Sequence, residues 1–120
     1  MLHLAETEDT PEVRYHESES TLVIRGKSLP ENAFNFYSPV LDWAKSLSDE
    51  SLTDFTIELY LEYFNSSTGR YLLELFLAIS DQHIPQKKIV WLVEADDELM
   101  IEKGEEFSSL IKIPFEIRTI

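Results

Sequence analysis

From residue 12 to the C-terminus, the sequence alternates between segments with the two-residue period of strands and segments with the spacing of amphipathic helices. The order is strand, strand, helix, strand, helix, strand, helix, strand. Helices that alternate with strands connect parallel strands by crossovers, so this order predicts an α/β fold with a mixed, largely parallel sheet. The first two strands are separated only by the polar stretch ESES, which predicts an antiparallel hairpin.

The two periods also predict which side chains face the core. In the longest strand, Glu58, Tyr60 and Glu62 alternate with apolar residues, so one face of this strand should be buried and the other wetter. The residues predicted to face inward from this strand are Ile57, Leu59, Leu61 and Tyr63. Those predicted to face inward from the second helix are Leu72, Leu75, Phe76 and Ile79. The predicted strands cover 12–16, 21–26, 55–64, 87–95 and 115–119, and the predicted helices cover 28–47, 69–83 and 96–110.

The start of the first helix carries a recognisable capping pattern. Ser28 is followed three residues later by Glu31, as in a capping box, and Pro30 occupies a position that a first helical turn accepts. Pro39 lies further along the same segment and lacks the N–H that a helix interior needs. We therefore expect a kink at Pro39 or a split into two short helices.

Length and charge limit the classes of partner. The chain has 120 residues, which corresponds to one domain, with residues 1–9 forming an acidic, flexible N-terminus and residues 10–120 the folded unit. Asp and Glu number 23 against 10 Lys and Arg, and the formal charge of −13 repels nucleic acid and anionic lipid. No signal-like or membrane-spanning apolar run is visible, so we expect a cytoplasmic protein without membrane insertion.

No catalytic motif appears in the sequence. Glycine-rich phosphate loops are missing, cysteine is absent, and the three histidines lack the spacing of metal ligands. The acidic pairs and runs, such as Glu58 with Glu62 and the group at 96–98, are explained by a solvated strand face and by the first turn of a helix. The residues alone therefore indicate no cofactor and no metal site, and they leave open a Ser-His-Asp arrangement that no motif marks.

Three adjacent hydroxyl residues follow the longest strand, in the stretch NSSTGR at 65–70. One interpretation is that Ser67 or Thr68 caps the second helix and Gly69 eases the turn into it. The other is that a hydroxyl here is phosphorylated, because helix N-termini favour a dianion and Arg70 can pair with it. In open α/β sheets this strand-to-helix junction lies at the carboxyl edge, where ligands usually bind.

Several stretches resemble the SiaC family of bacterial biofilm-regulation phosphoproteins. They are IRGKSLPENAFNFYSPVLDW, the strand ending in YFNSSTG, and EADDELMIEKGEEF followed by IPFEI. The resemblance runs from about residue 10 to the C-terminus and implies a STAS-like fold similar to that of anti-sigma factor antagonists. Matching Asn65 to the asparagine of the family's switch loop puts the phosphorylated residue at Ser66. Ser67 and Thr68 stay alternatives, and the loop of the wider STAS group would favour Ser67.

The resemblance also implies that the protein is not an enzyme, and it implies three partners. They are a Ser/Thr kinase, a PP2C-type phosphatase and an effector, a diguanylate cyclase, that the unphosphorylated form binds and activates. Asn65, Gly69 and Arg70 would shape the phosphorylated loop, and Glu31 and Asn32 of the PEN stretch are secondary candidates for a partner surface, unless they only cap a helix. The competing hypotheses are a constitutive interaction scaffold and a metal enzyme that depends on carboxylates.

Overall fold

One six-stranded sheet organises the molecule, and its strands follow one another in chain order. The computed structural model describes the backbone of residues 2–120 and the side chains of residues 2–48 and 51–120. The strands are β1 (His3–Leu4), β2 (Glu12–His16), β3 (Thr21–Ser28), β4 (Asp54–Phe64), β5 (Gln86–Val93) and β6 (Phe115–Thr119). The helices are α1 (Ala33–Lys45), α2 (Ser66–Ser80) and α3 (Glu98–Leu110), with short 3-10 turns at Glu17–Glu19 and Leu47–Glu50.

The strand directions confirm the predicted α/β fold. β1 to β3 pair in antiparallel fashion, whereas β3 to β6 are parallel and are joined by α1, α2 and α3. Because all three crossovers step in the same direction along the sheet, right-handed connections place all three helices on one face. The burial pattern of β4 agrees, since buried residues from Phe55 to Leu61 alternate with partly exposed ones.

The strand β1 is an addition to the predicted elements. Its residue His3 pairs with Arg14 of β2, and the Tyr15 amide donates a hydrogen bond to the Leu2 carbonyl at 3.1 Å. A two-residue strand carries too little periodicity to be detected in a sequence. The expected flexibility of residues 1–9 stays a prediction.

The last part of β4 contains a bulge that changes which side chains face the core. Gly26 pairs with Leu61, but the next residue of β3 pairs with Tyr63, so Glu62 is the extra residue in β4. After the bulge Phe64 is buried, whereas Tyr63 is 49% exposed. The predicted inward orientation of Tyr63 is therefore wrong, although Ile57, Leu59 and Leu61 are buried as predicted.

The helix α1 begins later than predicted and has a different cap. Asn32 is its N-cap, and the Asn32 side chain accepts a hydrogen bond from the Asn35 amide at 3.0 Å. Ser28 instead ends β3 and is fully buried, so the predicted capping box is wrong. Pro39 lies inside one continuous helix, so the alternative of a split into two helices is also wrong.

The interior of the helix-covered face is rich in aromatic side chains. Trp91 of β5 lies within 6.0 Å of Phe64 and 5.5 Å of Phe107 between ring centroids. The Trp91 indole N–H donates to the Met100 carbonyl of α3 at 2.9 Å, which fixes the ring against that helix. The α2 residues predicted to face inward are all buried, as expected: Leu72, Leu75, Phe76 and Ile79.

A glycine allows this close approach of α3 to Trp91. A Cβ atom added at Gly104 would lie 2.7 Å from the Trp91 Cδ1 atom, which is inside van der Waals contact. We predict that Gly104→Ala lowers the free energy of unfolding by about 1–3 kcal/mol, because the ring can move only by losing its bond to Met100.

Urea unfolding followed by tryptophan fluorescence measures this change, and Gly69→Ala is the matched control. Both glycines lie inside helices and gain similar helix propensity as alanine, but the Cβ at Gly69 would meet Phe64 Cε2 at 3.3 Å. The control should therefore lose much less stability. Equal effects of the two substitutions would contradict the proposed close approach.

Candidate functional site

The first turns of α1 and α2 enclose a shallow groove at the carboxyl edge of the sheet. Its volume is about 500 Å³, and it is lined by residues 31–34 from the α1 side and by Ser66, Ser67, Arg70 and Tyr71 from α2. We call it the α1–α2 groove. It brings together the two sets of residues that the sequence singled out, since Glu31 and Asn32 lie opposite Ser66 and Ser67.

The α2 helix is capped by Asn65, not by one of the hydroxyl residues. The Asn65 Oδ1 atom accepts hydrogen bonds from the Thr68 amide and from the Ser67 hydroxyl, both at 3.0 Å. The interpretation of Ser67 or Thr68 as the N-cap is therefore wrong. Asn65 takes this role because its short side chain can accept from an amide of the first turn that has no partner within the helix.

Gly69 and Arg70 lie within α2 and not in a loop before it. The Gly69 amide donates to the Asn65 carbonyl at 3.1 Å, which is a regular helical hydrogen bond. Gly69 therefore makes no special turn, and its lack of a side chain leaves room for Phe64. Arg70 follows Ser66 by four residues, so these two exposed side chains share one face of the helix.

The three adjacent hydroxyls have different surroundings. Thr68 is completely buried. Ser67 is exposed and donates its proton to Asn65. Ser66 is the first residue of α2, is exposed, and has no hydrogen-bond partner for its hydroxyl among the described residues. Of the three side chains, Ser66 is thus the accessible one with an uncommitted oxygen.

A buried chain of hydroxyl groups lies beneath this surface. The Ser28 Oγ atom is 2.6 Å from the Tyr37 hydroxyl and 2.8 Å from Thr68 Oγ1. Thr68 Oγ1 donates to the Ser28 carbonyl at 3.1 Å. Each hydroxyl has one proton, so Tyr37 donates to Ser28, Ser28 to Thr68, and Thr68 to the carbonyl. This arrangement satisfies all three groups and ties α1, β3 and α2 together.

Burial of Tyr37 changes its acidity. Loss of solvation raises the pKa of the Tyr37 phenol to about 12, and the nearby hydroxyls of Ser28 and Thr68, which can donate to a phenolate, offset only part of this rise. The phenol is therefore neutral at physiological pH and acts as a hydrogen-bond donor.

Aromatic rings connect the buried Tyr37 to the surface of the α1–α2 groove. The rings of Tyr37 and Tyr71 stack with centroids 6.1 Å apart and planes 9° apart, and Phe34 lies 6.5 Å from Tyr71. The Arg70 guanidinium carbon is 5.6 Å from the Tyr71 ring centroid, within cation–π range. Four residues of this region were not singled out as site residues from the sequence: Ser28, Phe34, Tyr37 and Tyr71.

One of these residues could have been found from its position. The alternation of Leu22 and Ile24 in the second predicted strand, continued by two residues at a time, reaches Ser28 on the inward face. The capping-box pattern assigned Ser28 to the start of the first helix instead. Tyr37 and Tyr71 gave no separate signal, because aromatic residues at helical spacing also occur in any core.

The remaining candidates for chemistry do not converge. Within the described part of the chain, no three side chains of the His, Asp and Glu types are close enough to hold a metal ion. Asp97 caps α3 by accepting from the Met100 amide at 3.2 Å. Glu58 and Glu62 belong to β4, outside the α1–α2 groove. Among residues 2–120, no helix is long and apolar enough to span a membrane.

Comparison with known proteins identifies the family. The family model for SiaC family regulatory phosphoproteins matches residues 4–120. The chain belongs to this family. Membership confirms the resemblance drawn from the PEN, NSSTG and GEEF stretches, and it describes the chain as a regulatory protein and not as an enzyme. A curated relative, an uncharacterized protein of Pseudomonas aeruginosa (strain UCBPP-PA14), is 24% identical over 98% of this chain and 94% of its own length.

Solved structures of SiaC from Pseudomonas aeruginosa share the fold. A chain in the crystal structure of the diguanylate cyclase SiaD in complex with its activator SiaC has a TM-score of 0.92 at 24% identity, with all of both chains covered. SiaC in a second structure has a TM-score of 0.89 at 23% identity and covers 99% and 98% of the two chains. The crystal structure of apo-SiaC gives 0.87 at 24% identity, with 98% and 97% covered.

The buried hydroxyl chain should be a measurable source of stability. We predict that Thr68→Val, which keeps the shape of the side chain, lowers the free energy of unfolding by about 1–3 kcal/mol, because the Ser28 proton loses its acceptor in a buried site. Ser67→Ala removes only an exposed hydrogen bond and should change stability by about 0.5 kcal/mol or less. Urea unfolding of both variants checks this, and equal losses would contradict the distinction.

Stability should also fall at alkaline pH because of Tyr37. Its pKa is about 12 in the folded protein and 10.0 in its ordinary state, so the unfolded chain releases this proton first as the pH rises. The contribution of Tyr37 to the free energy of unfolding is complete below pH 10. It is lost between pH 10 and 12, and the total loss is about 2–3 kcal/mol. Tyr37→Phe should show a shallower decline over this range in urea unfolding, because only this group is changed. Parallel declines would contradict the assignment.

Proposed function

We propose that this protein is a partner-switching phosphoprotein whose unphosphorylated form binds and activates a diguanylate cyclase, and that Ser66 is the residue that is phosphorylated. The observation that carries the proposal is the exposed and uncommitted Ser66 hydroxyl at the first position of α2, in a member of a family of regulatory phosphoproteins. The cyclase is proposed because SiaC of Pseudomonas aeruginosa is the activator of the diguanylate cyclase SiaD.

The surroundings of the three hydroxyls favour Ser66 over its neighbours. A kinase would reach Thr68 only after breaking the hydrogen bonds that Thr68 shares with Ser28. Phosphorylation of Ser67 would disturb its bond to Asn65, which caps the helix. Ser66 is modified without loss of either interaction. We therefore propose a Ser/Thr kinase and a PP2C-type phosphatase that act on Ser66.

A phosphate at Ser66 is compatible with the folded helix. It would carry nearly two negative charges at the positive end of the α2 dipole, next to the free amides of the first turn. Arg70 lies one turn further along the same face and can move from the Tyr71 ring to pair with it. The switch therefore acts by changing the surface and not by unfolding α2.

The effect on the effector follows from the position of Ser66 in the α1–α2 groove. A partner surface that fits a small neutral hydroxyl would have to desolvate a dianion, and nearby acidic groups would repel it. The unphosphorylated form is therefore the active one. In this proposal the protein acts in cyclic di-GMP signalling and biofilm regulation, in the bacterial cytoplasm.

Mass spectrometry and binding assays test this proposal together. We expect phosphate on Ser66 in protein isolated from its own cells, with Ser67 and Thr68 unmodified. Among the purified diguanylate cyclases of the same organism, one should bind the Ser66→Ala variant as it binds the unmodified protein. Phosphorylated protein and Ser66→Asp should bind it about 30- to 150-fold more weakly, which corresponds to about 2–3 kcal/mol.

Ser67→Ala is the matched control, because this neighbouring hydroxyl is also exposed and its removal should leave both phosphorylation and binding unchanged. Equal affinity of Ser66→Asp and Ser66→Ala would count against the mechanism. An affinity that does not depend on phosphorylation at all would instead indicate a constitutive scaffold. A thermal shift with divalent ions would favour the metal-enzyme hypothesis.

A further inference from the structure

We propose that the α1–α2 groove is the docking site for an apolar side chain of the effector, and that Phe34 is the main anchor on this protein. The inference rests on the proposed function and adds the contact that phosphorylation would control. Phe34 lines the groove opposite Ser66, so a partner that contacts one of them is close to the other.

Phe34 is not part of the hydrophobic core. It is the second residue of α1, and 60% of its surface is exposed. Leaving such a large apolar ring in water is unfavourable, by about 25 cal/mol for each Å² that could otherwise be buried. Aromatic residues in this position are typical of binding hot spots, where a partner supplies the missing burial.

The Tyr71 ring in the groove is held by contacts that reach into the core. Tyr71 stacks on Tyr37, and the Tyr37 hydroxyl is held by Ser28 in the fully buried chain of hydroxyls. Phe34 leans against the outer side of Tyr71. A partner that docks here therefore meets a preorganised aromatic surface, and ordering of these side chains adds little to the entropy lost on binding.

The charges around the groove favour an apolar contact with another kind of protein over contact with a second copy. One carboxylate, Glu31, and one guanidinium, Arg70, line the groove, so its own side chains add no net charge. The whole chain carries −13, and this net charge disfavours contact between two copies. An effector with an apolar side chain meets a locally neutral surface at this position.

The same geometry explains how a phosphate would interfere. Ser66 is at the rim of the groove, and Arg70 covers the Tyr71 ring when Ser66 is unmodified. Phosphorylation places a hydrated dianion beside the apolar contact and draws Arg70 towards it. Burial of Phe34 by a partner would then require removal of water from that dianion, which is strongly unfavourable.

Substitution of Phe34 tests the docking site. Binding of Phe34→Ala is measured by calorimetry with the diguanylate cyclase that the unmodified protein activates. We expect affinity about 30-fold weaker or more, with Phe34→Leu in between, because leucine keeps part of the apolar contact. Cyclase activation at saturating protein should recover, since the variant loses affinity and not the ability to activate.

The matched control is Leu110→Ala at the last position of α3, a large apolar residue with 61% exposure that does not line the groove. It should bind as the unmodified protein does. Thermal unfolding of all variants shows whether the fold is kept. If Phe34→Ala is destabilised, Phe34→Leu and Phe34→Tyr, which retain the bulk, serve as the test.

The two proposals fail in different ways. If Phe34→Ala binds like the unmodified protein while phosphorylation of Ser66 still blocks binding, the docking site is overturned and the switch stands. If Phe34→Ala weakens binding while phosphorylation has no effect, the docking site stands and the switch is overturned. Loss of phosphorylation by the kinase without loss of effector affinity would show that Phe34 serves the kinase, which also overturns the docking site.

Discussion

The hydrogen bonds that join Tyr37, Ser28 and Thr68 hold together the three elements that build the site. Each hydroxyl comes from a different element: α1, the end of β3 and the first turn of α2. In a dry interior such a chain is favourable only if every donor finds an acceptor, so the relative positions of the three elements are fixed closely. The two helix starts are set side by side by this constraint, and the groove between them follows from it.

The bulge in β4 cooperates with that constraint. The extra residue Glu62 turns the end of the strand so that Phe64 enters the core and the chain leaves the sheet at Asn65. Without the bulge, the alternation would have buried Tyr63 and directed Phe64 to solvent. Asn65 could then not reach the amides of the first turn from the same position. Irregular pairing at the end of a strand is thus part of how the site is built.

The fold could be predicted well from the sequence, because the two-residue period of strands and the spacing of amphipathic helices are both clear from residue 12 onward. The strands 12–16 and 115–119 were placed to the residue, and the inward face of α2 was correct. The errors lie where a non-local contact overrides a local pattern. Ser28 and Glu31 match a capping box, but Ser28 is instead buried at the end of β3, where it bonds to Thr68. Tyr63 fits the alternation, but the bulge shifts it outward.

The neighbouring hydroxyls of Ser66, Ser67 and Thr68 differ in chemical availability only after the chain has folded. An unstructured peptide with the same letters would offer three similar side chains, and nothing in it would mark one of them. Here accessibility and prior hydrogen bonding distinguish them, with Thr68 sealed in the interior and Ser67 engaged by Asn65. An enzyme that selected one of these three hydroxyls would therefore have to recognise the folded domain, because the local sequence alone does not distinguish them.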